Sequence, residues 1–505
     1  MAAALFTDGP SLMANPKEVT MMTAPAAKRN RDLSLLHYLI TLAIMLIIGS
    51  IPPAAPITAL GMKVVGVFAG MVYGWSTTGL IFPSLLGLSI YAVIGNTPIS
   101  QLFMEGFGNS VVVLLIFIFI FAAAITDAGI GEFIATWLIT RRIITGRPWL
   151  LTAVFFLAAF LTSAAVNSFG SMIICWGILY DLCKKAGYKP GDVWPAFMVF
   201  GITVSAILGS GSFAFKTIPM LVIGVYEKIG GASIDFLAFS LVFWSLSFIV
   251  MLGVFLLGRV VFRVDVAPLK QIDEGVFNKA CLTLSSFQKV NFFFLVLLIV
   301  ALLLPSLLPA QWFLTVVLNK LGSAGIILAI VMLMLCVRVE GKPLVDFPKL
   351  AAKGVLWEPI ILTAAVLPIC NAMLTDDAGI KAWLVQTLQP VFMGKSVVVF
   401  ALLSFSLAML LTNFANNGMT ALIFLPVVVS FAELLGINPT VMTVLLIFTV
   451  HIALITPAAC PMAGLMFSNT AYITPKDIYR YGFPLLVWTL AVIILVGIPL
   501  ANLVF

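Results

Sequence analysis

Charged residues enter this chain in small clusters, and between them lie apolar runs of about 15 to 25 residues, long enough for a helix to cross a bilayer. Backbone in lipid must satisfy its own hydrogen bonds, so such runs admit helices and little else. Spans are expected near 35–51, 61–75, 77–95, 109–126, 192–225, 236–262, 290–304, 321–337, 355–374, 438–468 and 480–503. The reading is an all-α polytopic membrane protein with about eleven crossings. Composition agrees, because 62% hydrophobic and 9% charged residues exceed what a soluble core of 505 residues uses. The net charge of +7 then reports where loops sit against the membrane, and no nucleic-acid partner is expected. Six cysteines form no CxxC pair and lie mostly in apolar tracts, so neither disulfides nor a metal centre is expected.

Two apolar stretches, 148–183 and 396–434, are too long for one crossing, and each is interrupted by small polar residues, TSAAVNSFGS and TNFANNGMT. A pair of interrupted segments points to an internal duplication around a binding site. The halves align accordingly. TDAGI at 126–130 meets TDDAGI at 375–380, and Thr162 and Asn167 meet Thr412 and Asn417 at an offset of 250. AGYKP at 186–190 meets LGINP at 435–439 at an offset of 249, so one residue slips in between.

Arg141, Arg142, Arg147, Lys184, Lys185 and Lys189 flank the first interrupted segment, whereas the second is flanked only by Lys395 and Glu433. The positive-inside rule places the first pair of flanks in the cytoplasm and the second pair outside. A segment that starts and ends on one side has not crossed, so each is read as a re-entrant hairpin, and the halves as an inverted repeat. Arg259, Arg263, Lys270, Arg338, Lys342, Lys349, Lys353, Lys476 and Arg480 fall at ends assigned to the cytoplasm. The expected organisation is a cytoplasmic tail at 1–34 ending in KRNRD, scaffold helices at 35–108, and a first repeat at 109–263. A cytoplasmic linker with scaffold helices follows at 264–337, and a second repeat at 338–505. The location expected is the inner (plasma) membrane with a cytoplasmic amino terminus. Hairpin tips at membrane depth leave backbone groups that need polar partners, and their helix ends suit an anionic carboxylate and a hard cation such as Na⁺.

The stretch LTNFANNGMTALIFLPVVVSFAELLGINP, followed by ITPAACPMAGLMFSN, resembles the second-half hairpin and broken helix of the divalent anion/sodium symporter family of the ion transporter superfamily. The resemblance implies a substrate held between two opposed tips, with sodium ions beside it. The family's Ser-Asn-Thr motif falls on Val166-Asn167-Ser168 and Asn416-Asn417-Gly418. It therefore implies substrate contacts at Asn167, Ser168, Asn417 and Gly418. It also implies Na⁺ contacts at Thr162, Asn167, Ser210 and Gly211 in one half and at Thr412, Asn417 and Ala459 in the other. A dimeric scaffold and an elevator-like movement of the transport domain follow from the same resemblance. Gly418 lacks the family's hydroxyl, Ser168 is smaller than threonine, and the family's Thr-Pro-Pro turn is absent from both broken helices. A literal Ser-Asn-Thr at 468–470 stands at a span end, where such residues commonly cap a helix.

Lys216 reads equally as an anion counter-charge or as a lysine snorkelling from a span end. His451 reads as a proton relay or, more simply, a hydrogen-bonded structural histidine. Asp127, Asp376 and Asp377 read as caps of the hairpin helices. No HExxH, GxSxG or Walker sequence is present, so no enzymatic chemistry is expected and no cofactor beyond Na⁺ as coupling ion. The expectation is secondary active transport of a di- or tricarboxylate or similar anion with Na⁺. Proton coupling or exchange of another anion is the alternative, and an ion channel the more distant one.

Overall fold

A computed structural model describes residues 31–505 apart from 142, 143, 145, 272–282 and 393–395. The tail before residue 31, Arg142, Lys395, Cys281 and part of the 264–337 linker lie outside the described residues. Those described form helices joined by short turns, with one two-residue strand pair, Arg338–Val339 with Lys342–Pro343. Among the described residues, nine helices are long and apolar enough to cross a membrane. They become ten if Phe347–Gly354 and Trp357–Met373, bent by 73°, make one crossing.

The expected eleven is not reached by that measure: seven of the expected spans are among the nine, 355–374 belongs to the bent pair, and the other two of the nine, Pro148–Ala165 and Asn417–Leu434, are arms of the two long interrupted segments. The stretch 192–225 divides into Val193–Ser210 and Thr217–Lys228, and 438–468 into Pro439–His451 and Pro461–Ser468. Near the amino terminus, 35–51 and 77–95 become the shorter apolar helices Ser34–Gly49 and Ile81–Ile94.

Both long segments fold back on themselves. The first is Pro148–Ala165 with Ser168–Ala186, where Ser171 Oγ donates to the Ala159 carbonyl across the two arms (2.7 Å). The second is Val397–Thr412 with Asn417–Leu434, closed far from its tip by Phe400 on Phe431, ring centroids 6.1 Å apart.

The repeated sequence signatures become repeated turns. In TDAGI and TDDAGI, Gly129 (φ +73°) and Gly379 (φ +67°) take the left-handed conformation that glycine adopts without a Cβ penalty, each directly before a new helix. In AGYKP and LGINP, Gly187 (φ +78°) and Gly436 (φ +66°) end the second arm of each hairpin. Tyr188 N–H reaches back to the Cys183 carbonyl, and Ile437 N–H to that of Ala432, the same helix-stop geometry in both halves. The expected capping role of the aspartates is corrected by these corners. Asp127 is the last residue of Ser110–Asp127, and Asp376 and Asp377 lie in a single 3₁₀ turn. The hairpin arms are capped instead by Ser396, Asn167 and Asn416, while Arg147 supplies no side-chain cap to Pro148–Ala165.

Each hairpin packs on the broken helix that follows it. Ser163 Oγ donates to the Ala206 carbonyl (2.6 Å), and Thr412 Oγ1 to that of Val450 (3.0 Å). The two broken helices lie against each other in opposite chain directions. Gly211 meets His451, and the hydroxyls of Tyr226 and Thr440 bond at 2.8 Å. A Cβ on Gly211 would stand 2.4 Å from Phe243 Cζ and 2.6 Å from His451 Nε2, so only glycine admits this approach.

Candidate functional site

The first tip is the two-residue break Val166-Asn167. Asn167 Oδ1 accepts from Gly170 N–H (2.7 Å), starting the second arm, and Nδ2 donates to Thr126 Oγ1 (3.2 Å) on Ser110–Asp127. One asparagine thus caps its helix and ties the tip to a neighbour. Lys216 closes the other side, with Nζ donating to the carbonyls of Ser163 (3.2 Å) and Val166 (3.4 Å).

Beside this tip lies a cavity of about 450 Å³ lined by Asn167, Ser168, Ser210, Lys216, Thr126 and Asp127, with Lys353 and an otherwise apolar wall from Ser110–Asp127 and Ser286–Leu307. Apolar walls with a few converging polar groups are the usual form of a small-molecule site. Its charged lining, Lys216 and Lys353 against Asp127, favours an anion. Ser168 begins the second arm, so backbone N–H groups of a helix amino terminus stand at the cavity edge. Thr162, expected as a cation ligand, does not line the cavity. It is buried at 1% exposure and its hydroxyl has no partner among the described residues.

The second tip is built differently. Asn416, not Asn417, caps the second arm, accepting from Gly418 N–H (2.9 Å) and Met419 N–H (3.4 Å). The structural counterpart of Asn167 is therefore Asn416, at an offset of 249, and the single-residue slip between the halves falls at or before the tip. Asn417, 3% exposed, is the first residue of the helix, and its Oδ1 accepts from Thr412 Oγ1 at 3.4 Å. Thr412 Oγ1, Asn417 Oδ1 and the Val450 carbonyl make a buried group of three oxygens, the hard ligand type that a cation such as Na⁺ takes.

Gly418 lies beneath the first broken helix, where a Cβ would stand 3.1 Å from Leu221 Cδ2. Losing the side chain here lets the second tip approach that helix. Lys216 at the first tip and Leu221 at the second are five residues apart, about 7.5 Å of helical rise. Even so, residues of the second tip do not line the cavity at the first.

Ser210 and Gly211 stand at the start of their break, whereas Ala459, fully buried, lies at the end of its own, just before Pro461–Ser468. Ser210 lines the cavity, while Gly211 is turned against His451. His451 donates from Nδ1 to the Ile447 carbonyl (2.7 Å), and its Nε2 has no partner among the described residues. Ser-Asn-Thr at 468–470 closes the end of Pro461–Ser468, where Asn469 bonds the Tyr180 hydroxyl well away from either tip.

One residue that carries much of the second site has no sequence counterpart to mark it. Asn413, fully buried, donates from Nδ2 to the carbonyls of Met409 (2.7 Å) and Ile452 (3.0 Å). Its Oδ1 accepts from Leu454 N–H (2.9 Å) and Ile455 N–H (3.0 Å), and its own carbonyl accepts from Thr456 Oγ1. An uncharged amide two residues from the end of an apolar run was the available signal.

Comparison with known proteins agrees with this architecture. The chain is 23% identical over 411 residues to the sodium-dependent dicarboxylate transporter SdcS of Staphylococcus saprophyticus, covering 77% of this chain and 76% of that one. The Na⁺/citrate cotransporter of Mus musculus is 26% identical over 120 residues, covering 24% of this chain and 20% of that one. Among solved structures, the YdaH transporter of Alcanivorax borkumensis shares the fold with a TM-score of 0.55 at 15% identity, covering 93% of this chain and 98% of that one. MtrF of Neisseria gonorrhoeae, from a class of antimetabolite efflux pumps, shares it with a TM-score of 0.57 at 12% identity, covering 92% and 95%. The model of the sodium:sulfate symporter transmembrane region matches residues 32–505, and the chain belongs to that family, one of transporters and not of enzymes.

Proposed function

We propose that this protein is a secondary active transporter that moves a small anion, of the di- or tricarboxylate class or an oxyanion such as sulfate, together with Na⁺. The observation that carries the reading is the cavity of about 450 Å³ at the first tip, where Asn167, Ser168 and Ser210 meet two lysines, Lys216 and Lys353, against one carboxylate, Asp127, on a largely apolar wall. Anionic oxygens would take hydrogen bonds from the Asn167 amide and the amino terminus of Ser168–Ala186, and charge from Lys216 and Lys353. Na⁺ would enter the oxygen group of Thr412, Asn417 and Val450, ordering the second tip before or with the anion. Coupling then follows from the difference in affinity between loaded and empty states.

The antiparallel packing of the two broken helices supports opposed halves, and the closed arms of each hairpin support re-entrant segments. The remaining parts of the proposal are a cytoplasmic amino terminus, a plasma-membrane location, a dimeric scaffold and elevator-like movement. The relatives named for dicarboxylate and citrate support a carboxylate substrate, and the family name supports sulfate.

Thermal unfolding of the purified protein, screened against succinate, citrate and sulfate with and without Na⁺, tests the reading. A true ligand at a hundredfold excess over Kd adds about 2.7 kcal/mol. Stabilisation by none of these anions in either salt overturns the site. Equal stabilisation in choline and in Na⁺ points instead to proton coupling or exchange.

A further inference from the structure

The two tips meet their broken helices through different chemistry. At the first, the Lys216 ammonium lies on the carbonyls of Ser163 and Val166 at the carboxyl end of Pro148–Ala165. A helix carboxyl end carries partial negative charge and attracts a cation. At the second, the carbonyl of Asn413, 250 residues after Ser163, takes the neutral Thr456 hydroxyl. The side chains bonded there, Thr412, Asn413, Asn416, Asn417 and Thr456, are all uncharged.

The position of Lys216 makes little sense for its own helix. It is the residue before Thr217–Lys228 and gives that helix no side-chain cap, while its charge sits at the positive end of the helix dipole. The residue at the same place before Pro461–Ser468 is Cys460, whose thiol caps Ala463 N–H and reaches the Ala453 carbonyl. The lysine is therefore placed for the tip, not for the helix it precedes. Its neighbours in the cavity, Asn167, Ser168 and Ser210, are among the residues expected to hold an anion and a cation in the first half.

We propose that Lys216 is a tethered cation of the first tip, doing there what a transported Na⁺ does at the second, so that the protein binds one Na⁺ rather than two. The inference rests on the Na⁺-coupled reading above and deepens it. A tethered ammonium holds the tip carbonyls in place and keeps a positive charge beside the anion through the whole cycle. Its cost in ordering is already met in the folded chain, whereas a free ion must be captured each time.

Counting bound ²²Na⁺ on the purified full-length protein tests this. Wild type is expected to bind one Na⁺ per chain at saturation, Lys216→Arg one, and Lys216→Ala two, because the vacated carbonyls then accept an ion from solution. Two Na⁺ on wild type, or one on Lys216→Ala, overturns the tethered-cation role while leaving Na⁺ coupling intact. No saturable Na⁺ on wild type overturns the underlying Na⁺-coupled reading and this inference with it. Should Lys216→Ala not fold, Lys216→Gln takes its place under the same expected count of two, and the wild-type count stands by itself.

Discussion

Replacing Asn413 by alanine removes four side-chain hydrogen bonds at once, three to the break in the second broken helix and one to Met409 in the hairpin arm. Two of them serve the N–H groups of Leu454 and Ile455, residues 0% and 5% exposed. A buried donor left without a partner costs about 1–3 kcal/mol, so these two alone account for about 2–6 kcal/mol. The carbonyls of Met409 and Ile452 lose a partner as well. Asn416→Ala is the comparison, since it removes an exposed-side helix cap worth about 1 kcal/mol. Thermal unfolding in detergent can be followed with a thiol-reactive dye, because Cys175, Cys183, Cys370 and Cys460 are buried and become reactive on unfolding. Asn413→Ala should unfold well below Asn416→Ala, and both below wild type. Equal unfolding temperatures for the two variants would refute the claim that Asn413 clamps the break.

Asn167→Ala and Asn417→Ala should each abolish anion uptake in proteoliposomes while leaving membrane expression intact; wild-type uptake by either removes that residue from the site. Gly211→Ala forces a Cβ to within 2.6 Å of both Phe243 and His451 and should destabilise by about 1–3 kcal/mol, a shift readable in the same thiol assay. Gly129→Ala should cost about 1–2 kcal/mol for its left-handed backbone alone. Gly379→Ala should cost clearly more, because its Cβ would lie 2.0 Å from the Pro56 carbonyl oxygen, and an equal loss would contradict the packing. Lys381→Ala should change stability by less than about 1 kcal/mol, since its 2.6 Å pair with Glu433 is exposed on both sides.

Much of the architecture was legible because lipid allows so few solutions. Long apolar runs had to become helices, and the two runs interrupted by small polar residues had to turn there. Repeated glycines in TDAGI, TDDAGI, AGYKP and LGINP were visible as a repeat because each needs a backbone conformation that other residues resist. Less of the site could be read, because its specificity lies in contacts across the chain. Aligning letters paired Asn167 with Asn417, but helix capping pairs Asn167 with Asn416, since a one-residue slip at the tip is invisible until the helix starts are seen. Ser210-Gly211 and Ala459 looked equivalent by resemblance and stand at opposite ends of their breaks.

The sequence by itself determined the helical membrane class, the positions of both hairpin tips and the turns that bound them, since these depend on local backbone chemistry and on apolar length. Only the tertiary structure decided what each polar residue near a tip touches. Asn413 became the clamp of a broken helix, Gly418 the gap that admits Leu221, and Lys216 the ammonium on the first tip's carbonyls. Those partners lie about 40 to 50 residues away or in the other half of the chain. No local pattern encodes them, and only the packing of hairpins on broken helices brings them within bonding distance.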